Sequence, residues 1–257
     1  MMHFPESFPV SLVYLKETES TNKYLNDLCN KQCVGELTTV TTDFQTSGRG
    51  QRGNSWESER GQNLMFSFVL YPAFLKARKQ FLLSQIISLA IKEELDTHVS
   101  DVSIKWPNDI VMNGKKVCGI LTEMSAQLDY INHVVIGIGI NVKNKSFPKE
   151  IEQVATSILM ETGLQVNRAE LIEAVLEQFE RYYEIFLETE DLSGLVKEYN
   201  AHLINMQKQV RVLDPKEPYE AKAMGITPHG ELIVDTWEGR KLVSSGEVSV
   251  RGVYGYV

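Results

Sequence analysis

The hydrophobic rhythm of the chain changes several times, and each change marks an element. SLVYLKE (11–17) and the β-branched ELTTVTTD (36–43) read as strands, as do NLMFSFVLY (63–71), VSIKW (102–106) and DIVMN (109–113). Between the first two, residues 17–29 place Tyr24, Leu25 and Leu28 on one helical face, with Ser20 or Thr21 as the cap. FLLSQIISLAIKEEL (81–95) has helical length and a strongly apolar face. Asn113-Gly114 signals a hairpin, because both positions of a type I′ turn need φ > 0. VCGILTEM (117–124) is its return strand, and INHVVIGIGINV (131–142) is a buried one. Asn167 with Glu170 resembles a capping box. After it Leu171, Val175, Phe179, Tyr182 and Phe186 recur at helical spacing and predict a helix over 168–189, with a second over about 192–203.

Near residue 205 the rhythm shortens. QVRVLD, EAKAMGIT, ELIVDTWE, KLVSS and EVSVRG are short alternating runs between Pro, Gly or charged turns, the pattern of a small β-barrel of about five strands. The predicted boundary lies at about 204. Residues 1–204 form an α+β unit, helices beside a mainly antiparallel mixed sheet, and residues 205–257 form the barrel.

Composition narrows the function classes. The 257 residues are 43% hydrophobic, enough for a substantial core. A net charge of −8 and a pI of about 5.3 argue against a nucleic-acid surface spread over the whole molecule. Cys29, Cys33 and Cys118 are too few and odd in number for a disulfide framework, and no second Cys or His pair has metal-ligand spacing. The first residues, MMHFPESFPV, lack the basic and apolar regions of a signal peptide. No apolar run reaches the ~18 residues of a membrane span, so a cytoplasmic protein is expected.

Four stretches could carry chemistry. In QTSGRGQRGNSW (45–56) glycines let the backbone curl its N–H groups toward one point, an anion nest, and Arg49 and Arg52 add charged forks. The spacing is neither a P-loop nor a dinucleotide fingerprint. KWPNDIVMNGKKVCGIL (105–121) gathers Lys105, Asn108, Asp109, Lys115 and Lys116 around a proline turn and a hairpin. Such lysines either sit in solvent or stabilise a developing negative charge, and two adjacent ones on a strand cannot both face a pocket. In VVIGIGIN (134–141), Gly137 and Gly139 share a face that something can approach closely, be it a ligand or a packed helix. ESTNKY (19–24) offers Ser20, Thr21 and Asn22, which cap a helix or hold a neutral polar ligand.

Taken together and in this order, ESTN, QTSGRGQRGNSW, KWPNDI with KKVCGIL, and VIGIGIN resemble the biotin–protein ligases, and SSGEVSVR (244–251) fits as well. The resemblance covers nearly the whole chain, and the glycine-arginine loop paired with KWPND is its most specific part. It implies a class II synthetase-like catalytic domain followed by an SH3-like barrel. It further implies an enzyme that uses Mg-ATP to turn biotin into biotinyl-5′-AMP, releasing pyrophosphate. The biotinyl group then passes to one lysine of a biotin carboxyl carrier protein, from acetyl-CoA carboxylase or another biotin-dependent carboxylase. By motif position, Ser20, Thr21, Asn22 and Gln45 hydrogen-bond the ureido ring. Arg49, Gly50 and Gln51 surround the carboxylate and the adenylate, and Lys116, not Lys115, holds the family's key lysine position. Lys116 and Arg49 are thereby the implied catalytic pair. Gly137 and Gly139 form the floor beneath biotin, Trp56 and Asn141 contact adenine, and Arg52 adds charge at the nucleotide. Lys105, Asn108 and Asp109 lie near ATP, with Asp109 the implied Mg contact, direct or indirect.

The reaction joins two anions and makes a mixed anhydride that water destroys, so GRGQRGNSW is expected to be a lid, disordered until it closes over its ligand. The chain departs from the family where arginine is common but Gln51 and Asn54 stand. Some family members carry a helix-turn-helix domain ahead of ESTN, where this sequence has 18 residues, so a ligase without DNA binding is expected. The resemblance also admits a homodimer paired through the edge of the catalytic sheet. The rival reading is a lipoate–protein ligase or octanoyl transferase of the same catalytic fold, which lacks KWPND beside a GRG loop.

Overall fold

The computed structural model describes residues 10–128, 130–245, 249–253 and 256–257, with Arg52 and Ser249 described by their backbone alone. Seven strands form the first sheet: β1 (Leu12–Leu15), β2 (Thr39–Thr42), β3 (Asn63–Leu70), β4 (Val102–Lys105), β5 (Asp109–Met112), β6 (Lys115–Gln127) and β7 (Tyr130–Asn141). Their order is β1-β2-β3-β7-β6-β5-β4. β1 and β2 run parallel and the other neighbours antiparallel, so the sheet is mixed and mainly antiparallel, as expected.

Strand parity divides the two faces. Leu64, Phe66, Phe68 and Leu70 of β3 and Ile136, Ile138 and Ile140 of β7 face α2 (Leu82–Asp96) and α4 (Arg168–Thr189) in the main core. On the opposite face α1 (Thr21–Lys31) covers Val69 and Val135 with Leu25. α1 stops short of the full sheet. At its first turn the same face carries Ser67 and Met65 on β3, both buried, beside Gly137 and Gly139 on β7, which line a cavity.

Several local signals act as their chemistry requires. Asn113 and Gly114 have φ of 49° and 75° and form the expected turn. α4 keeps its expected limits, with Asn167 Oδ1 accepting from the Ala169 N–H at 3.0 Å and Asn167 Nδ2 donating to Glu170 at 2.7 Å. α5 (Val196–His202) is shorter than the predicted 192–203, and α3 (Ile158–Thr162), capped by Ser157, is an addition too short to show a helical period.

The second sheet contains β8 (Gln209–Leu213), β9 (Tyr219–Ile226), β10 (Leu232–Thr236), β11 (Gly239–Val243) and β12 (Ser249–Gly252), antiparallel in the order β11-β10-β9-β8-β12. Its apolar side chains join the same core as the first sheet. The β9–β10 turn docks between α2 and the β4–β5 turn. There the Gly230 carbonyl accepts from Gln85 Nε2 at 2.7 Å and from Trp106 Nε1 at 3.0 Å, both bonds buried. Gly230 has φ of +77°, and a Cβ there would lie 2.6 Å from Leu82 Cδ2. Among the described residues no helix is long and apolar enough to cross a membrane.

Candidate active site

The glycine-bearing part of the first sheet lines a cavity of about 250 Å³. Its inner end is neutral. Ser20 caps α1, its Oγ 3.5 Å from the Lys23 N–H. Thr21 donates its backbone N–H to Gln45 Oε1 at 2.8 Å, and its hydroxyl lies 3.2 Å from the same oxygen. Ser67 Oγ sits 2.7 Å from Thr21 Oγ1 and 2.6 Å from Asn22 Oδ1. Asn22 Nδ2 donates to the Leu121 carbonyl at 3.2 Å and to Glu123 Oε2 at 2.8 Å. Mutual hydrogen bonds thus fix each polar group before any ligand does so.

The floor is made of glycine because nothing larger fits. Gly137 lies opposite Ser67 and Gly139 opposite Met65. A Cβ on Gly137 would lie 2.1 Å from Asn22 Oδ1, and one on Gly139 would lie 2.6 Å from the Trp56 ring. Gly119, paired with Gly139 from β6, has Lys116 Nζ and the Trp56 ring about as close, at 3.0 and 3.1 Å from its Cβ position.

The outer end is charged. Trp106, Pro107 and Asn108 join β4 to β5 with a cis Trp106–Pro107 bond, and Lys105 pairs with Asp109 across the turn. Asn108 Nδ2 donates to the Ile120 carbonyl at 2.7 Å, which stitches the turn to β6. Lys116 reaches the cavity through a bulge. Ile110 pairs with Cys118 but Val111 with Lys116, so Val117 is the extra residue. A bulge shifts the side-chain alternation by one. Lys116 and Gly119, three apart, therefore share the cavity face, while Val117 and Cys118 are both buried. Lys115 points elsewhere, its Nζ 3.5 Å from the Glu152 carbonyl.

Three groups converge on Asp109. Lys116 Nζ lies 2.5 Å from Oδ1, Lys105 Nζ lies 3.9 Å from Oδ2, and the Tyr256 phenol donates to Oδ2. Burial would raise the Asp109 carboxyl, but the charges of Lys116 and Lys105, with hydrogen bonds from Lys116 and Tyr256, hold it below its ordinary value. Burial pushes the Lys105 ammonium down to about 8, against the pull of Asp109. Burial and then the Asp109 charge push the Tyr256 phenol far up, so it stays a donor. Val250 and Arg251 of β12 complete this wall. Cations outnumber carboxylates here, which suits an anion such as a phosphate or a carboxylate.

Residues 48–56 form a hairpin-like loop. Gly50 N–H donates to the Asn54 carbonyl at 2.7 Å, Asn54 N–H to Gln51 at 3.2 Å, and Trp56 N–H to Gly48 at 2.9 Å. These three N–H groups bond within the loop, so they are not available to the anion nest expected of its glycines. Arg49 pairs with Glu123 at 3.2 Å, and the same carboxylate holds Asn22, so Glu123 links the loop to the inner end. The Trp56 ring lies over the glycine floor with Lys116 Nζ 5.8 Å from its centroid, and its buried Nε1 has no hydrogen-bond partner among the described residues.

Of the residues singled out in the sequence, Ser20, Thr21, Asn22, Gln45, Arg49, Gly50, Gln51, Trp56, Lys105, Asn108, Asp109, Lys116, Gly137 and Gly139 all line the cavity. The Arg52 side chain lies outside the described residues. Asn141 follows Gly139 on the same face of β7, but its Nδ2 donates to the Thr156 carbonyl at 3.0 Å and its Oδ1 accepts from Asn63 at 3.2 Å. It ties strands together and does not line the cavity. Sequence reasoning passed over Ser67, Gly119, Glu123, Arg251 and Tyr256. A lone hydroxyl inside NLMFSFVLY was the available signal for Ser67, and the glycine inside KKVCGIL for Gly119.

Comparison with known proteins places these features in a family. The sequence profile of the biotin/lipoate A/B protein ligase family matches residues 14–141, and that of the biotin protein ligase C-terminal domain matches residues 208–251. The chain is 33% identical over 242 residues to the bifunctional ligase/repressor BirA of Bacillus spizizenii, covering 93% of this chain and 74% of that one. It is 29% identical over 217 residues to the biotin–[acetyl-CoA-carboxylase] ligase of Paracoccus denitrificans, covering 81% of this chain and 88% of that one. In structure it is similar to the biotin protein ligase of Aquifex aeolicus solved with biotin and ATP, with a TM-score of 0.82 and 31% identity, covering 94% of this chain and 99% of that one.

Proposed function

The chain belongs to the biotin/lipoate A/B protein ligase family, and we propose that it adenylates biotin with ATP and passes the biotinyl group to a lysine of a biotin carboxyl carrier protein. The observation that carries the reading is one cavity with a neutral hydrogen-bonding end and a cationic end, joined by a glycine floor. Biotin's ureido edge offers partners to Ser20, Thr21, Asn22 and Gln45, and its carboxylate then points toward the cations. A lipoyl ring has no such edge and would gain none of the hydrogen bonds this end offers a ureido group.

In the first step a biotin carboxylate oxygen attacks the α-phosphorus of ATP. A new P–O bond forms as the bond to pyrophosphate breaks, giving biotinyl-5′-AMP. Two anions meet, so fixed positive charge lowers the barrier. Lys116 and Arg49 stand where the two ends of the cavity join, and each must exchange a protein carboxylate, Asp109 or Glu123, for the substrate. Lys105, Asn108, Gln51 and Arg52 serve the nucleotide, and Trp56 offers adenine a stacking face. ATP enters as its Mg complex. Asp109 is the sole carboxylate on the described lining, and Mg²⁺ commonly takes one or two carboxylates with phosphate and water. In the second step the acceptor lysine's ε-amine attacks the acyl carbon, the amide C–N bond forms, a proton is released and AMP leaves. Residues 1–204 are the catalytic unit in this reading, and residues 205–257 close its nucleotide end.

Biotin-dependent exchange of labelled pyrophosphate into ATP tests the first step, and transfer to a carrier domain tests the second. Exchange supported by lipoate but not by biotin would overturn the assignment.

A further inference from the structure

Tyr256 lies in none of the four stretches singled out in the sequence. It follows β12, beyond the second sheet, yet its phenol donates to Asp109 Oδ2 across 147 positions of sequence. Its ring lies under Lys105, whose Nζ is 4.1 Å from the ring centroid. Its neighbour Val257 touches both units. Val257 Cγ2 lies 3.3 Å from where a Cβ on Gly114 would stand, in the β5–β6 turn, and the Val257 carbonyl folds back against Gly252.

These contacts divide the labour around one carboxylate. Lys116 holds Oδ1 at 2.5 Å, while Lys105 stays 3.9 Å from Oδ2. The phenol occupies Oδ2, and the ring face holds the Lys105 ammonium by a cation–π contact. Without the phenol, a buried carboxylate oxygen loses its donor, and a buried acceptor seeks another. Lys105, with its Nζ 3.9 Å from that oxygen, is a donor within reach. Both ammonium groups would then be drawn onto Asp109 and away from a bound phosphate.

We propose that Tyr256 is a positioning residue for the nucleotide end of the cavity. By engaging Asp109 it keeps Lys105 turned toward the phosphates of ATP, so a residue after β12 serves a carboxylate 147 positions earlier. The inference rests on the reading of the cavity as a biotin and ATP site.

Pyrophosphate exchange on the full chain tests it, with KM for ATP and KM for biotin measured separately. Tyr256→Phe keeps the ring and loses the phenol. It should raise KM for ATP roughly tenfold, the scale of a lost hydrogen bond to a charged group, with KM for biotin within about twofold of wild type. Tyr256→Leu also loses the ring and should raise KM for ATP further. If Tyr256→Leu does not fold, Tyr256→Phe decides alone, its unfolding midpoint serving as the control. Unchanged ATP kinetics in Tyr256→Phe overturn the proposal, as does a lower KM for ATP, which would make the segment an obstruction. A parallel rise in both KM values overturns it too, because a merely structural role moves both ends. A wild-type protein inactive with biotin and ATP would overturn the functional reading along with it, whereas normal variants of an active wild type overturn only the role of Tyr256.

Discussion

At the inner end of the cavity, the consecutive Ser20, Thr21 and Asn22 and the more distant Gln45 are neutral, and Ser67 in the sheet beneath braces Thr21 and Asn22. At the outer end, Lys105, Asp109, Lys116, Arg251 and Tyr256 are charged or ionisable and come from both sheets and the segment after them. Neutral donors and acceptors can satisfy one another in place, so a helix start with Gln45 and two strands builds a preformed end. Ammonium groups crowded together repel, and burial makes each harder to keep charged. The outer end therefore needs a counter-charge, Asp109, and a donor imported from far along the chain to balance it. Recognition is fixed in advance at one end, while charge is held in reserve at the other.

The largest expected effect tests the cationic end. Lys116→Ala should lower biotin-dependent exchange by roughly a hundredfold or more, the scale of losing one preorganised transition-state contact. Lys115→Ala should stay near wild type. Equal losses in the two variants would break the claim that the bulge at Val117 separates them. Next comes the neutral end. Gly137→Ala puts a Cβ against Asn22, which its own hydrogen bonds hold in place. Overpacking of this kind costs about 1–3 kcal/mol, so KM for biotin should rise about tenfold or more while KM for ATP holds. An equal rise in KM for ATP would erase the distinction between the ends.

A smaller effect follows from pH. Lys105 sits near 8 in the folded protein against an ordinary 10.5. Between those values the unfolded chain holds a proton that the native chain lacks, so this group adds stability as pH rises through 8. In the proposed reading ATP binds the ammonium form, so the thermal stabilisation contributed by ATP should shrink across the same window, and that contributed by biotin should not. Unfolding scans with each ligand at about pH 7 and about pH 9 check this; a constant ATP increment would remove Lys105 from the nucleotide end. The smallest effect concerns the link between the ends. Arg49 is about half exposed, with 49% of its side chain accessible, and exposed ion pairs contribute about 0–1 kcal/mol. Glu123→Gln should thus shift both KM values by no more than about fivefold. A shift confined to ATP would show that Glu123 does not hold Asn22 in solution.

The sequence reveals the fold well where one element carries its own signal. The stripe from Leu171 to Phe186 with the Asn167 cap specifies α4, and Asn113-Gly114 specifies its turn. α3 escapes because five residues show no period. In the site, residues inside compact motifs come together as expected. Asn141 shows the limit of motif position, because its amide is engaged by Thr156, a partner no pattern in VIGIGIN reveals. Glu123 and Tyr256 were illegible for the same reason. Their roles depend on what lies across the sheet or at the far end of the chain, and nothing in EVSVRGVYGYV points to Asp109.

The Gly230 carbonyl has a consequence for heredity and engineering. It accepts from Gln85 on α2 and from Trp106 beside the cis proline, so the turn and its two donors form one inheritable unit spread over three places in the chain. A chimera joined at residue 205 would keep Leu82, Gln85 and Trp106, so the foreign turn would have to bring a glycine whose carbonyl meets both donors, since a Cβ there would lie 2.6 Å from Leu82 Cδ2.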